Sequence, residues 1–186
     1  GLAQPKTVTA FYKNANGEWV QFGENWNTTE TNDAESATKI ITSEIEGEAV
    51  ITSEIKFEMT ARDGKVFVFI SELEAFGALA DAEADDFVEP EETTNLIAGM
   101  EIAQKPGSGI SYQGDLTDGF KPTALDNNGD WFAFYYHTNA SNAVNNNTVN
   151  GVGTMLIDLG VEKLVTDLKL LNLAKPSWGI NYPMNI

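Results

Sequence analysis

The side chains of this chain that could hold or transform a ligand are aromatics, amides and carboxylates, gathered around two copies of one short motif. Asn16-Gly17-Glu18-Trp19-Val20-Gln21-Phe22 and Asn128-Gly129-Asp130-Trp131-Phe132-Ala133-Phe134 share the pattern Asn-Gly-acid-Trp-x-x-Phe. Indole and phenol rings stack on the apolar C–H faces of sugars, and nearby Asn, Asp, Gln and Glu can bond the sugar hydroxyls. Trp26 is the leading candidate for such a contact, because Gly23-Glu24-Asn25-Trp26-Asn27 is otherwise polar and gives an indole little reason to be buried. With Asn25, Asn27, Trp178 and Tyr182 it forms the candidate ligand-binding set. Trp19 and Trp131, just inside their turns, read instead as core anchors.

A cation is the second chemistry to weigh. Asp126, Asn128 and Asp130 place oxygen-bearing side chains at alternate positions around Gly129, as the first half of a calcium loop does, and mark a candidate Ca²⁺ site. An EF-hand is excluded, because the positions that need Gly and a bidentate Glu hold Trp131 and His137. The first copy (Asn14, Asn16, Glu18) carries less ligand charge. The plain alternative for both copies is a hairpin turn, since Asn-Gly is the strongest short-range hairpin signal.

Catalysis finds little footing. Glu101 and Asp158 lie in apolar stretches, but alternation along a one-faced strand would turn both outward. With 28 acids in the chain some pair will always stand at glycosidase spacing, so abundance decides nothing. His137 is the lone histidine and there is no cysteine, which removes thiolate nucleophiles and cysteine-held zinc. No Gly-x-Ser-x-Gly elbow exists, Ser108 lacks the strand-turn-helix context, and no phosphate-cradling glycine loop occurs. No catalytic residue is assigned. The glycosylation-type sequons at Asn27, Asn139 and Asn146 are read as chance.

The elements that must position these groups are β-rich. Lys6–Lys13 and Trp19–Phe22 flank the first turn as strands. Ile41-Thr42-Ser43-Glu44-Ile45 returns as Ile51-Thr52-Ser53-Glu54-Ile55, and Gly47 between them predicts two strands. Ile55, Phe57 and Met59 alternate with Lys56, Glu58 and Thr60, predicting a hairpin over 54–70 that turns at Arg62-Asp63-Gly64-Lys65. Its return, Val66–Ile70, is apolar on both faces, as in an interior strand. Ser71 with Glu74 matches a capping box, and Leu73, Phe76, Leu79 and Ala80 follow helical spacing, so a helix is expected over 71–87. The acid-rich tract 81–92 reads as loop or linker. A short strand is expected over 96–102, turns at 105–109, 115–119 and 126–129, a strand from Trp131, an Asn-rich loop over 138–150 and a strand over 151–159. Residues 161–173 fit either period and are assigned to strand.

These elements predict a mostly β fold, an antiparallel β-sandwich or jelly-roll-like body with at most one or two short helices. We expect a single domain over residues 1–186; the alternative is two small β domains, 1–80 and 96–186, joined by the acidic linker 81–95. At 186 residues, 42% apolar and 10% aromatic, the chain can bury a real core. The net charge of −17 repels phosphate backbones and excludes a nucleic-acid partner. No apolar run reaches the roughly 18 residues of a membrane span. The start at Gly1, without Met, reads as a mature or trimmed terminus whose targeting segment, with or without a lipid anchor, lies upstream.

The Asn/Asp-rich turns, the two Gly-acid-Trp strands, the absent cysteines and the acidic composition resemble small secreted or lipoprotein-anchored β-domains of gut Bacteroidetes that accompany polysaccharide-utilisation systems. The resemblance implies an exported protein, periplasmic or at the cell surface, with a polysaccharide or oligosaccharide partner. The expectation is therefore a non-catalytic, glycan-binding module. A structural or adhesion domain that pairs through strand edges is the alternative, and a glycoside hydrolase using paired carboxylates is the third reading.

Overall fold

The structure is a computed structural model that describes residues 2–3, 7–27, 39–60, 67–79, 93–106, 108–123, 128–135, 148–149 and 152–174. Its strands are β1 (Leu2–Ala3), β2 (Thr7–Lys13), β3 (Trp19–Asn27), β4 (Lys39–Thr60), β5 (Phe67–Leu79), β6 (Thr94–Asn95), β7 (Ser108–Gln113), β8 (Phe132–Tyr135), β9 (Thr148–Val149) and β10 (Val152–Ala174). They join one ten-stranded sheet in the order β3-β2-β4-β10-β5-β8-β7, with β1 and β6 on β5 and β9 on β10. Every pairing is antiparallel except β1 with β5. The mostly β, antiparallel class expected from the sequence is the class observed, and it is consistent with a sandwich-like body. A 3₁₀ turn at Asn128–Asp130 is the one helical element among the described residues. No helix there is long and apolar enough to cross a membrane.

The alternation in β4 sets the core face. Ile55, Phe57 and Met59 are fully buried, while Lys56, Glu58 and Thr60 between them stay half-buried. Val8 and Ala10 from β2, Phe22 from β3, and Met155 and Ile157 from β10 continue that face, and Ile97, Ile102 and Leu116 from connecting segments pack against it. Each large side chain so buried contributes about 1.5–3 kcal/mol.

Two one-residue bulges keep the long strands in phase with this core. In β5 the register passes from Ile70↔Asn172 to Glu72↔Leu171, leaving Ser71 as the extra residue. Val68 and Ile70 before it, and Leu73 and Ala75 after it, therefore all reach the core cluster. The same shift sends Glu72 and Glu74 to the reverse side of the strand. In β10 the extra residue is Thr166, and Leu168 and Leu170 beyond it rejoin Val165 and Ile157.

Several expectations are corrected. The hairpin over 54–70 does not form: β10 lies between β4 and β5, pairing Ile55 with Ile157 and Leu73 with Leu170. A strand apolar on both faces matches this interior place, and Val68, Phe69 and Ile70 are all fully buried. The helix expected from Ser71 is strand up to Leu79, because β10 and β6 pair with this stretch and ladder bonding overrides local propensity. The echoed Ile-Thr-Ser-Glu-Ile segments are one strand, since β10 pairs with both. Gly47 is there for close approach and not to end a strand: a Cβ on it would come within 3.0 Å of the Phe22 ring. The strand expected over 96–102 shrinks to Thr94–Asn95, followed by a turn at 96–99 with Gly99 at φ 70°. The turn Arg62–Lys65, the tract 81–92, His137, the loop residues 138–147, and Trp178, Tyr182 and Asp126 lie outside the described residues.

Candidate functional site

Two connecting segments, 95–106 and 113–121, enclose a recess. Asn95 starts the first by accepting the N–H groups of Ala75 and Ile97 on Oδ1, both at 3.3 Å. Ile97 and Ile102 then plug the core, and Gln104 makes a two-way backbone bridge to Leu156 of β10 at 2.8 and 3.2 Å. In the second segment Asp115 Oδ1 accepts from Thr117 N at 3.1 Å, an Asx turn that points Leu116 into the core. Thr117 ties the segments together: its hydroxyl donates to Met100 O at 2.6 Å and its carbonyl accepts from Gly99 N at 2.5 Å. We call residues 114–121 the strap.

Between these segments lies a cleft of about 290 Å³. Glu101, Lys105, Gln113 and Asp115 supply two carboxylates, an ammonium and an amide, while Ile102 and Met100 supply apolar lining. Glu101 and Gln113 are exposed, and Lys105 Nζ stands 5.4 Å from the centre of the Phe132 ring. Such a set can bond the hydroxyls of a small polar ligand while an apolar face rests on the lining.

A buried carboxyl lies under the strap. Glu72 is 1% exposed; its Oε1 accepts from Gly119 N at 3.1 Å, and its Oε2 is buried without a hydrogen-bond partner. Burial pushes its pKa up from 4.5 to about 8; the Gly119 N–H opposes that rise, Asp118 and Glu74 add to it, and Lys121 opposes it. Glu74 beside it accepts from Lys121 Nζ at 2.8 Å. Glu72 does not line the cleft.

The residues read from the sequence fall in different places. Trp26 is half-buried and packs against the core cluster, opposite Val8. Asn25 beside it is exposed, and Asn27 ends β3 opposite Thr7. None of the three lines the cleft. Trp131 is fully buried, as a core anchor should be. Trp19 is half-buried on the outer face, with Lys56 Nζ 4.8 Å and Lys13 Nζ 5.6 Å from its ring. Asp158 points outward as alternation required and accepts from Gly160 N at 2.8 Å, whereas Glu101 lies in a connecting segment and not in a strand, is exposed and lines the cleft. Asn128 and Asp130 sit in the 3₁₀ turn, and among the described residues no group of three or more His, Asp or Glu could hold a metal ion.

Sequence reasoning missed Lys105, Gln113 and Asp115, which sat inside segments legible only as turns or strand ends. Glu72, one of 28 acids and inside a segment expected to be helical, carried no sign of burial. No protein-family model, curated protein or solved structure matches the chain.

Proposed function

We propose that this chain is a non-catalytic binding module of an exported bacterial protein, with a glycan as its ligand. The observation that carries the reading is the cleft, where Glu101, Lys105, Gln113 and Asp115 surround an apolar lining. Carboxylate and amide groups suit vicinal hydroxyls, and the lining suits a pyranose face. Trp26 with Asn25 and Asn27, and Trp178 with Tyr182, stay in the proposal as further contacts, Trp26 through the part of its ring that the core leaves uncovered. Binding is favoured over hydrolysis because Glu72, whose carboxyl holds its proton well above the usual range, stands outside the cleft. Pairing through strand edges is disfavoured: β3, at one end of the sheet order, is interrupted by an irregularity at Gly23–Asn25, a device that blunts edges.

Affinity electrophoresis on a panel of neutral and acidic polysaccharides, followed by calorimetry on any hit, tests the reading. The double variant Glu101→Gln/Gln113→Ala should lower affinity about tenfold or more with little change in melting temperature, since two lost hydrogen bonds are worth about 1–3 kcal/mol. No retardation on any polysaccharide sinks the glycan assignment. Calcium at Asp126, Asn128 and Asp130 is a separate proposal, tested by whether added Ca²⁺ raises the melting temperature and a chelator reverses it.

A further inference from the structure

We propose that Glu72 is a proton-operated latch that holds the outer half of the strap, Asp118–Lys121, against β5. The two halves of the strap are fastened by different means. Asp115 bonds Thr117 within the inner half, but the ties of that half to the rest of the fold do not titrate: Leu116 sits in the core, Leu73 N donates to Leu116 O at 2.6 Å, and Thr117 is bonded to Gly99 and Met100. Its outer half is fastened to β5 by carboxylates, Glu72 through Gly119 N–H and Glu74 through Lys121.

The charged groups that bear on Glu72 are Asp118 and Lys121 from the strap and Glu74 from its own strand. β10 places uncharged Leu171 opposite it. Protonated, the Glu72 carboxyl keeps Oε1 as acceptor for Gly119 and needs no counter-charge. Ionised, it would be a buried anion with one N–H donor, next to two further carboxylates, of which only Glu74 has its cation. The neighbouring Ser71 hydroxyl is buried and bonds to nothing, so the bulge offers no second donor. An anion so placed must reach water. Gly119 and Lys121 are exposed and carry the strap's bonds to Glu72 and Glu74, so hydrating the anion displaces them.

The direction with pH follows. Open, Glu72 ionises near its ordinary 4.5; closed, near about 8. Between these values the ratio of open to closed rises about tenfold per pH unit, and above the closed value it levels off.

Amide hydrogen exchange at Gly119, read by NMR from about pH 5 to 9 and corrected for hydroxide catalysis, tests the latch in the unliganded chain. Its failure therefore leaves the glycan reading untouched, and the reverse. Protection of Gly119 should fall about tenfold per pH unit and flatten near pH 8, while Gly99, bonded to Thr117, keeps its protection. In Glu72→Gln, which fixes the neutral form, protection at Gly119 should be flat with pH. A pH-independent Gly119 in the wild type, or the same fall in Glu72→Gln, overturns the proposal. Should that variant not fold, the ¹³C carboxyl shift of Glu72 in the wild type decides: ionisation in the ordinary carboxylate range with Gly119 still protected also overturns it.

Discussion

The two Asn-Gly-acid-Trp copies share one pattern as text and are unlike as structure. In the first, Gly17 N donates to Asn14 O and Asn14 N to Glu18 O, both at 2.9 Å, with Gly17 at φ 79°. That is a three-residue hairpin loop closed by a left-handed glycine. Asn14 Oδ1 adds bonds from Asn16 N at 3.0 Å and Glu18 N at 2.9 Å, and the loop is exposed throughout residues 15–18. In the second, Asn128–Asp130 is a 3₁₀ turn at the end of a long connection from β7, and Trp131 behind it is wholly buried. What separates them is the partner: β3 returns at once beside β2, whereas β8 enters between β5 and β7. A turn motif sets local geometry only where the chain it joins pairs locally.

The sharpest way to break this comparison is to truncate both tryptophans. Trp131→Ala should cost about 3–5 kcal/mol, and Trp19→Ala about 1 kcal/mol, because its half-exposed ring loses mainly the contact with Lys56 and Lys13. Urea denaturation gives both values; equal losses would abolish the distinction.

The strap bonds the second copy through Gly114 N to Trp131 O at 2.9 Å, so acid–base chemistry should weigh on that end of the molecule and spare the first hairpin. Glu72 is protonated when folded and ionised when unfolded between pH 4.5 and about 8. Its contribution is thus fully present below 4.5, lost as pH rises through that window and constant above it. The slope is at most about 1.4 kcal/mol per pH unit. Unfolding free energies measured across the window should show the decline, and Glu72→Gln should remove most of it. The first turn makes its own, purely conformational contribution. Gly17→Ala should cost about 1–2 kcal/mol by chemical denaturation, purely from its left-handed backbone, since no atom lies within 4 Å of the added Cβ.

Strand character was legible where one side of a strand meets the core and the other meets water, as at Ile55–Thr60. It was legible again at Trp131 and over 161–173. What alternation cannot carry is a change of phase. The insertion of Ser71 shifts the phase of β5 with no local mark, and beyond it Leu73 faces the core while Phe76 takes the other side. That three-residue spacing also fits a helix, and the capping-box match of Ser71 with Glu74 reinforced the look. Pairing was hidden for a related reason: adjacency in sequence argued for a 54–70 hairpin, and nothing local shows a distant strand separating its arms. Of the cleft, Glu101 alone was singled out beforehand. Lys105, Gln113 and Asp115 acquire meaning only when Thr117 draws the two segments together.

The central position of β10 carries a consequence for how the chain comes to be folded. β4 and β5 are synthesised long before the strand that joins them, so each waits with a bare row of amides and carbonyls. A nascent chain stopped before Val152 lacks the long strand that pairs with both β4 and β5, and those uncovered edges are where neighbouring chains would adhere. The keystone is laid late, and native assembly has to wait for it.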